Sequence, residues 1–183
     1  MSSSEDQSLP QGNPKVAEQF RLLLRGVAAT TTIITTGEAG DWRGMVATAV
    51  MPISLAPPSL IVAVNRSASS HAVMARTGRF CINVLPDELA GFSRDFSMRP
   101  KDSRFDPDVW SCSSALDAEF SGLPHLLGAQ SVILCSVFRQ VDVGTHSLFL
   151  ADVRSVSVMG PHRPLVYVDG IYGRVARSEC LAA

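Results

Sequence analysis

Charge of one sign is missing from this chain. Lys and Arg number 16 against 17 Asp and Glu, which leaves a formal net charge of −1 and a pI near 6.4. No basic field is available for nucleic acid or an anionic membrane surface, so neither is expected as a partner. Long hydrophobic runs are also missing; none approaches the roughly 20 residues a membrane span needs. The opening MSSSEDQSLPQG has neither the basic start nor the apolar stretch of a secretory signal. Residues 1–13 are therefore read as a disordered lead-in, and the cytoplasm is the expected location. The four cysteines, Cys81, Cys112, Cys135 and Cys180, form no CxxC pair, and the four histidines form no HxxxH pair. A disulfide framework, a zinc centre and any other metal site are not expected. Cys81 and Cys135 lie within apolar runs, as small buried hydrophobes do. There is no GxGxxG after a strand, no Walker loop, no GxSxG elbow and no clustered carboxylate pair. A Rossmann site and a hydrolase built on a side-chain nucleophile and base are thus unsupported.

What is present is enough for one folded domain. Apolar residues make up 46% of 183 and charged residues 18%, a globular composition with a sizeable core. Asn13-Pro14 is a helix start, with Asn as cap and Pro at the first helical position. Val16, Phe20, Leu23, Leu24 and Val27 follow at helical spacing, which predicts one face packed on a core. The segments 28–36, 42–50, 59–65, 79–85, 131–143, 147–159, 165–168 and 171–175 read as strands. Short helices are predicted over 70–76, ended by Gly78, and after Pro86-Asp87-Glu88, with Leu89, Phe92 and Phe96 as its apolar face. Gly144-Thr145-His146 is a hairpin tip, and Asp169-Gly170 a second turn. Arg99 to Pro107 is a charged loop that either stays in solvent or reaches over a site. Hairpins dominate and no βαβ alternation occurs, so the expected fold is mainly β: an antiparallel barrel with attached helices. One domain spans 14–177, followed by a tail over 178–183.

The stretch from Gly44 to His71, GMVATAVMPISLAPPSLIVAVNRSASSH, is where chemistry concentrates. Its start is made of small residues, Gly44, Ala47, Thr48 and Ala49, which let a flat ligand lie on the backbone. Turns are expected at Pro52 and at Pro57-Pro58, with a strand over 59–64. The stretch ends in Asn65-Arg66-Ser67-Ala68-Ser69-Ser70-His71, a cluster of hydroxyls and one fixed positive charge entering a helix. Such a cluster is an anion site in kind. An apolar slot at one end and an anion grip at the other suit a phosphorylated aromatic cofactor. Considered singly, Arg104 and His71 are surface residues, His146 is an exposed hairpin histidine, and Trp42 and Trp110 are packing residues.

These pieces together resemble a known family. Ile33-Ile34-Thr35-Thr36, the run from Gly44 to Pro58, Ser59 to Ser67, Cys81-Ile82-Asn83-Val84-Leu85 and Val141-Asp142-Val143-Gly144-Thr145-His146 are similar to the flavin reductase family. The likeness is greatest to the reductase components of two-component aromatic monooxygenases such as 4-hydroxyphenylacetate 3-monooxygenase. The resemblance implies a split β-barrel, antiparallel and Greek-key-like, with a few flanking helices. It implies hydride transfer from NADH or NADPH to FMN, with FAD as the alternative, and delivery of reduced flavin by diffusion to a partner monooxygenase. Carried across position by position, Val46, Ala47, Thr48 and Ala49 line the flavin ring and ribityl chain, and Asn65, Arg66, Ser67 and Ser70 hold its phosphate. Arg104 reaches the cofactor, His146 is the catalytic-side histidine facing the nicotinamide, and Tyr172 borders the site. Relatives often carry Thr or Ser where Val46 and Ala49 stand, so backbone groups here replace side-chain hydrogen bonds. The resemblance also implies a homodimer. Two alternatives stand beside it: a non-catalytic split-barrel protein holding flavin or haem, and an enzyme like pyridoxamine-phosphate oxidase, whose second phosphate would need basic residues that this chain lacks.

Overall fold

The computed structural model describes residues 12–100, 103–113 and 116–176. The proposed tail over 178–183 and most of the lead-in lie outside the described residues. The chain enters through helix α1, Pro14–Leu24, capped where Asn13 Oδ1 accepts from the Lys15 N–H at 3.0 Å. Twelve strands follow: β1 Ala29–Thr30, β2 Thr32–Thr36, β3 Arg43–Ala47, β4 Val50–Leu55, β5 Pro58–Asn65, β6 Arg79–Val84, β7 Trp110–Cys112, β8 Pro124–Leu126, β9 Ser131–Val143, β10 His146–Val158, β11 Leu165–Val168 and β12 Ile171–Arg174. Helix α2, Ser69–Thr77, lies between β5 and β6, and α3, Ala90–Met98, follows β6.

Seven strands form one antiparallel sheet in the order β3-β2-β6-β9-β10-β5-β4. Its two edge strands, β3 and β4, are consecutive in the chain and separated only by Thr48 and Ala49. The sheet must therefore curl until its first and last strands meet at that two-residue corner. The Ala63 N–H on β5 donates to the Ala49 carbonyl at 3.1 Å, which fastens the corner to the far side of the sheet. The result is a barrel split between β3 and β4. Two smaller sheets, β1-β11-β12 and β7-β8, complete the domain.

Strand alternation sends side chains to two cores. Inside the barrel, Ile34, Val62, Val64, Phe80, Ile82, Cys135, Phe149 and Ala151 pack with Met74 of α2 closing one end. On the outer face of β2, β6 and β9, Ile33, Cys81 and Leu134 pack under α3 and the β7-β8 ribbon with Phe96 and Trp110. Each large apolar side chain so buried contributes about 1.5–3 kcal/mol. Burial pushes the Cys81 thiol up to about 12, and raises that of Cys135 as well. Both are inert core residues, as their apolar settings suggested.

Several expectations need correction. Among the described residues the apolar face of α1 is left largely uncovered: Phe20 is 59% exposed and Leu23 65%, and the helix has no buried residue. Helical periodicity signals a face that gains from burial, but not the body that buries it. The helix end is tied at Arg25, whose Nε donates to Asp169 Oδ1 at 2.6 Å and whose carbonyl accepts from the Asp169 N–H at 2.8 Å. Pro52 makes no turn; it lies inside β4, a sheet-edge position where its missing N–H costs nothing. The turn is at Ala56-Pro57. Segment 28–36 is two strands that part at Thr31, because the Thr31 N–H pairs with Leu165 of β11 and its carbonyl with Leu85. The ribbon β7-β8 was not foreseen at all. Asp169 and Gly170 do form the predicted turn, with φ of 50° and 82°, the pattern of a type I′ hairpin.

Candidate functional site

Small residues do not make the whole of β3 open. Gly44 faces the aromatic cluster, and a Cβ there would lie 2.8 Å from Phe96 Cζ and 3.2 Å from Phe105 Cζ. Its smallness serves aromatic packing, not ligand access. Val46 packs against the outer core and Ala47 into the barrel. The Ala47 carbonyl already accepts from Thr32 Oγ1 at 2.8 Å. Thr48 and Ala49, at the split, are the exposed members of the predicted set. Val46, Ala47 and Thr48 border a cavity of about 260 Å³ whose other walls are Thr31, Tyr167 and Tyr172. The two tyrosines meet edge-on at 5.3 Å, and Tyr172 Oη accepts from Ser93 Oγ at 3.0 Å. Ligand cavities commonly span roughly 300–1,000 Å³, so this one suits a ring and leaves a phosphate tail outside. Among the described residues the buried Thr31 hydroxyl at its wall has no hydrogen-bond partner, an unmet polar group that a ligand edge would satisfy.

The polar loop after β5 is preorganised. Asn65 Oδ1 accepts from the Ser67 N–H at 2.9 Å and from Ser67 Oγ at 2.8 Å, and the Ala68 N–H bonds the Asn65 carbonyl. These bonds turn the chain into α2, whose first residues carry no side-chain cap. N–H groups at an uncapped helix start need an acceptor and favour an anion. Arg66 is half exposed; its Nη2 donates to the Gly144 carbonyl at 2.7 Å, and Nη1 stands 3.8 Å from Asp142. The Arg66 N–H bonds the Thr145 carbonyl at 2.9 Å. The anion-type loop is thereby clamped to the β9-β10 hairpin tip.

His146 opens β10 directly opposite Asn65 of β5, exposed, with Nδ1 sharing a 2.9 Å hydrogen bond with Thr145 Oγ1. Ala49 is joined to Ala63, two residues back along β5 and so about 7 Å from Asn65. The fold thus gathers Thr48, Ala49, Asn65, Arg66, Ser67 and His146 around the split. It places two others differently. Ser70 is buried, with its hydroxyl turned to Met45 Sδ at 3.2 Å, so only its backbone faces the helix start. Arg104 donates to the carbonyls of Arg99 and Gly44, each at 2.9 Å, and of Ser97 at 3.4 Å, with its guanidinium over Phe96. It closes the C-terminal end of α3 and fixes that loop to β3, away from the Asn65 loop. Of the two options for the charged loop, the described part is anchored: Phe105 packs with Phe96 and Trp110.

A further cluster was missed. His71 Nε2 lies 2.7 Å from Ser147 Oγ, which donates to Asp142 Oδ1 at 2.6 Å; Gln140 Nε2 reaches both, at 3.3 and 3.0 Å. The Asp142 carboxyl is held below its ordinary range first by Ser147, then by Gln140, with smaller help from Arg66 and His71. The strand register sets Asp142 opposite Ser147, and α2 brings His71 to the same hydroxyl from outside that strand pair.

A barrel split between consecutive edge strands, with a ring-sized cavity on one side and an uncapped helix start on the other, is a split barrel. The sequence pattern of the flavin reductase like domain matches residues 24–176, and the chain belongs to that family. It is 34% identical over 161 residues to the FMN reductase (NADH) RutF of Ancylobacter novellus, covering 87% of this chain and 85% of the relative. It is 32% identical over 166 residues to the reductase component of the FADH(2)-dependent resorcinol hydroxylase of a Rhizobium species, covering 89% and 88%. Among solved structures, the NADH:FAD oxidoreductase SgcE6 of Streptomyces globisporus superposes with a TM-score of 0.79 at 26% identity over 93% of this chain and 99% of that one. The styrene monooxygenase flavin reductase of Pseudomonas putida S12 does so with 0.73 at 28% identity, over 87% and 99%.

Proposed function

We propose that the protein is an NAD(P)H-dependent flavin reductase that passes hydride from a reduced nicotinamide to FMN, with FAD as the alternative. The observation that carries this reading is the convergence of the Thr48-Ala49 corner, the Asn65–Ser67 loop and the His146 tip at one split. A bound flavin supplies the hydride acceptor, so the protein needs no acid-base pair of its own. What the chain contributes is alignment and exclusion of water, which supply up to roughly 7–11 kcal/mol in favourable cases. Arg66, Ser67 and the N–H groups at the start of α2 hold the phosphate. Asn65 shapes that loop, and Ser70 takes part through its backbone alone. The backbone of residues 46–49 borders the ring, with Thr31 satisfying one polar edge. His146 stands free at the tip to pair with the nicotinamide side.

The half-open site favours release of reduced flavin, which reaches a flavin-dependent monooxygenase by diffusion. The exposed apolar face of α1, joined by Met51, Ile53 and Leu55 of β4, supports a homodimer that buries them. Among the described residues no helix is long and apolar enough to cross a membrane; the proposed location is the cytoplasm. The test is oxidation of NADH and NADPH by purified protein with FMN and FAD side by side. Turnover with at least one flavin is expected, and no turnover with either rejects the reading.

A further inference from the structure

The cluster beneath the hairpin tip has a proton arrangement that its distances dictate. An ionised carboxylate only accepts, so the single proton of Ser147 Oγ is committed to Asp142 across 2.6 Å. Ser147 Oγ must then accept from His71 Nε2, 2.7 Å away, and this makes His71 the Nε2–H tautomer when neutral. Gln140 Nε2 is the second donor toward the same oxygen, at 3.3 Å. Both lone pairs of Ser147 are occupied and its proton is engaged, so it is no nucleophile despite its Asp and His neighbours. The cluster is a brace. It joins α2 through His71 to β10 through Ser147 and to β9 through Asp142 and Gln140.

The brace lies on the inner face of the hairpin. Ser147 is fully buried, while the adjacent His146 is exposed on the other face, as strand alternation requires. Among the described residues, the other side-chain tie between the helix-start loop and the tip is Arg66, through Gly144 and Asp142. Arg66 is also the residue assigned to the phosphate. When it turns toward an anion, His71 keeps a side-chain tie from α2 to the tip beside the backbone bond from the Arg66 N–H to the Thr145 carbonyl.

We propose that His71 is a positioning residue: through Ser147 and Asp142 it holds the His146 hairpin in register with the start of α2, and so sets the nicotinamide side of the site relative to the flavin side. The inference rests on the flavin reductase reading for its effect on turnover, but not for the brace itself. Three variants separate donor from packing. His71→Phe keeps a ring against Phe149, which His71 meets edge-on at 5.4 Å, and removes the Nε2–H. His71→Gln places an amide N–H near the same point. Ser147→Ala removes the link.

Two measurements are made on the full chain with thermal unfolding monitored throughout. Hydrogen exchange of the backbone N–H groups of residues 144–147 is expected to quicken about fivefold in His71→Phe and Ser147→Ala, the scale of one neutral hydrogen bond, and to return to the wild-type rate in His71→Gln. In steady-state assays KM for the reduced nicotinamide is expected to rise by a similar factor in His71→Phe, with the flavin Kd within twofold and His71→Gln again restored. The double variant His71→Phe/Ser147→Ala should be no worse than the worse single one, because both remove the same bond. Unchanged exchange in His71→Phe overturns the brace. Altered exchange with unchanged KM overturns its role in setting the nicotinamide side. A wild-type protein without turnover overturns the reductase reading and, with it, that role, while the exchange result still decides the brace.

Discussion

Arg66 is the most direct handle on the proposed flavin side of the site. Its Nη2 donates to Gly144, and its approach to Asp142 at 3.8 Å is half exposed and weak. A guanidinium has five donors, so most remain for an arriving phosphate. A hydrogen bond to a charged group contributes about 1.5–3 kcal/mol, which corresponds to roughly 10- to 150-fold in affinity. Half exposure puts the expected loss for Arg66→Ala at the lower end, about tenfold, shrinking further as salt screens the pair. The assay is quenching of flavin fluorescence during titration with protein, using FMN, FAD and riboflavin. Riboflavin has no phosphate, so its affinity should not change. Equal weakening of FMN and riboflavin would show that Arg66 supports the ring site through the hairpin and grips no phosphate; an unchanged FMN affinity would remove Arg66 from the site.

Gly44→Ala should destabilise the protein by about 1–3 kcal/mol, because Phe96 and Phe105 must move from packed positions; a melting temperature within a degree of wild type would contradict the packing described for β3. His146→Ala should slow nicotinamide oxidation more than it weakens flavin binding, and equal turnover would exclude His146 from the reaction. The Asp142 carboxyl is depressed in the fold by its Ser147 and Gln140 hydrogen bonds. Its stabilising contribution is therefore complete above the unfolded value of about 3.9 and disappears as pH falls through the lower folded value. The stability gap between wild type and Asp142→Asn should narrow in that acid range, and a gap constant down to about pH 2 would refute the assignment.

Much of this architecture was legible from local chemistry. Asn13-Pro14, Gly78 and Asp169-Gly170 mark their elements because caps and left-handed turns depend on a few adjacent residues. The long runs that became β9 and β10 were clear from alternation around a Gly-Thr tip. Pro52 misled because a proline cannot show in sequence whether its strand lies at a sheet edge. For Arg104 and Ser70, which way the polar side chain points is decided by distant neighbours, here Gly44 and Met45, which no local pattern names. His71 stood out least, since its partner Ser147 is 76 residues away and no spacing rule connects them. The exposed face of α1 was read rightly as apolar but placed wrongly, because amphipathicity does not name its partner.

The corner at Thr48 and Ala49 acts as a pivot. The three residue steps from Ala47 to Val50 reach at most about 11 Å, which bounds the width of the barrel mouth there, while β3 and β4 are not paired with each other along their lengths. A guest seated beside the pivot meets an unyielding gauge, and bulk extending away from it meets a jaw that can spread. In the proposed flavin site, discrimination among ring systems would thus be concentrated at one fixed point, with tolerance for whatever each ring carries behind it.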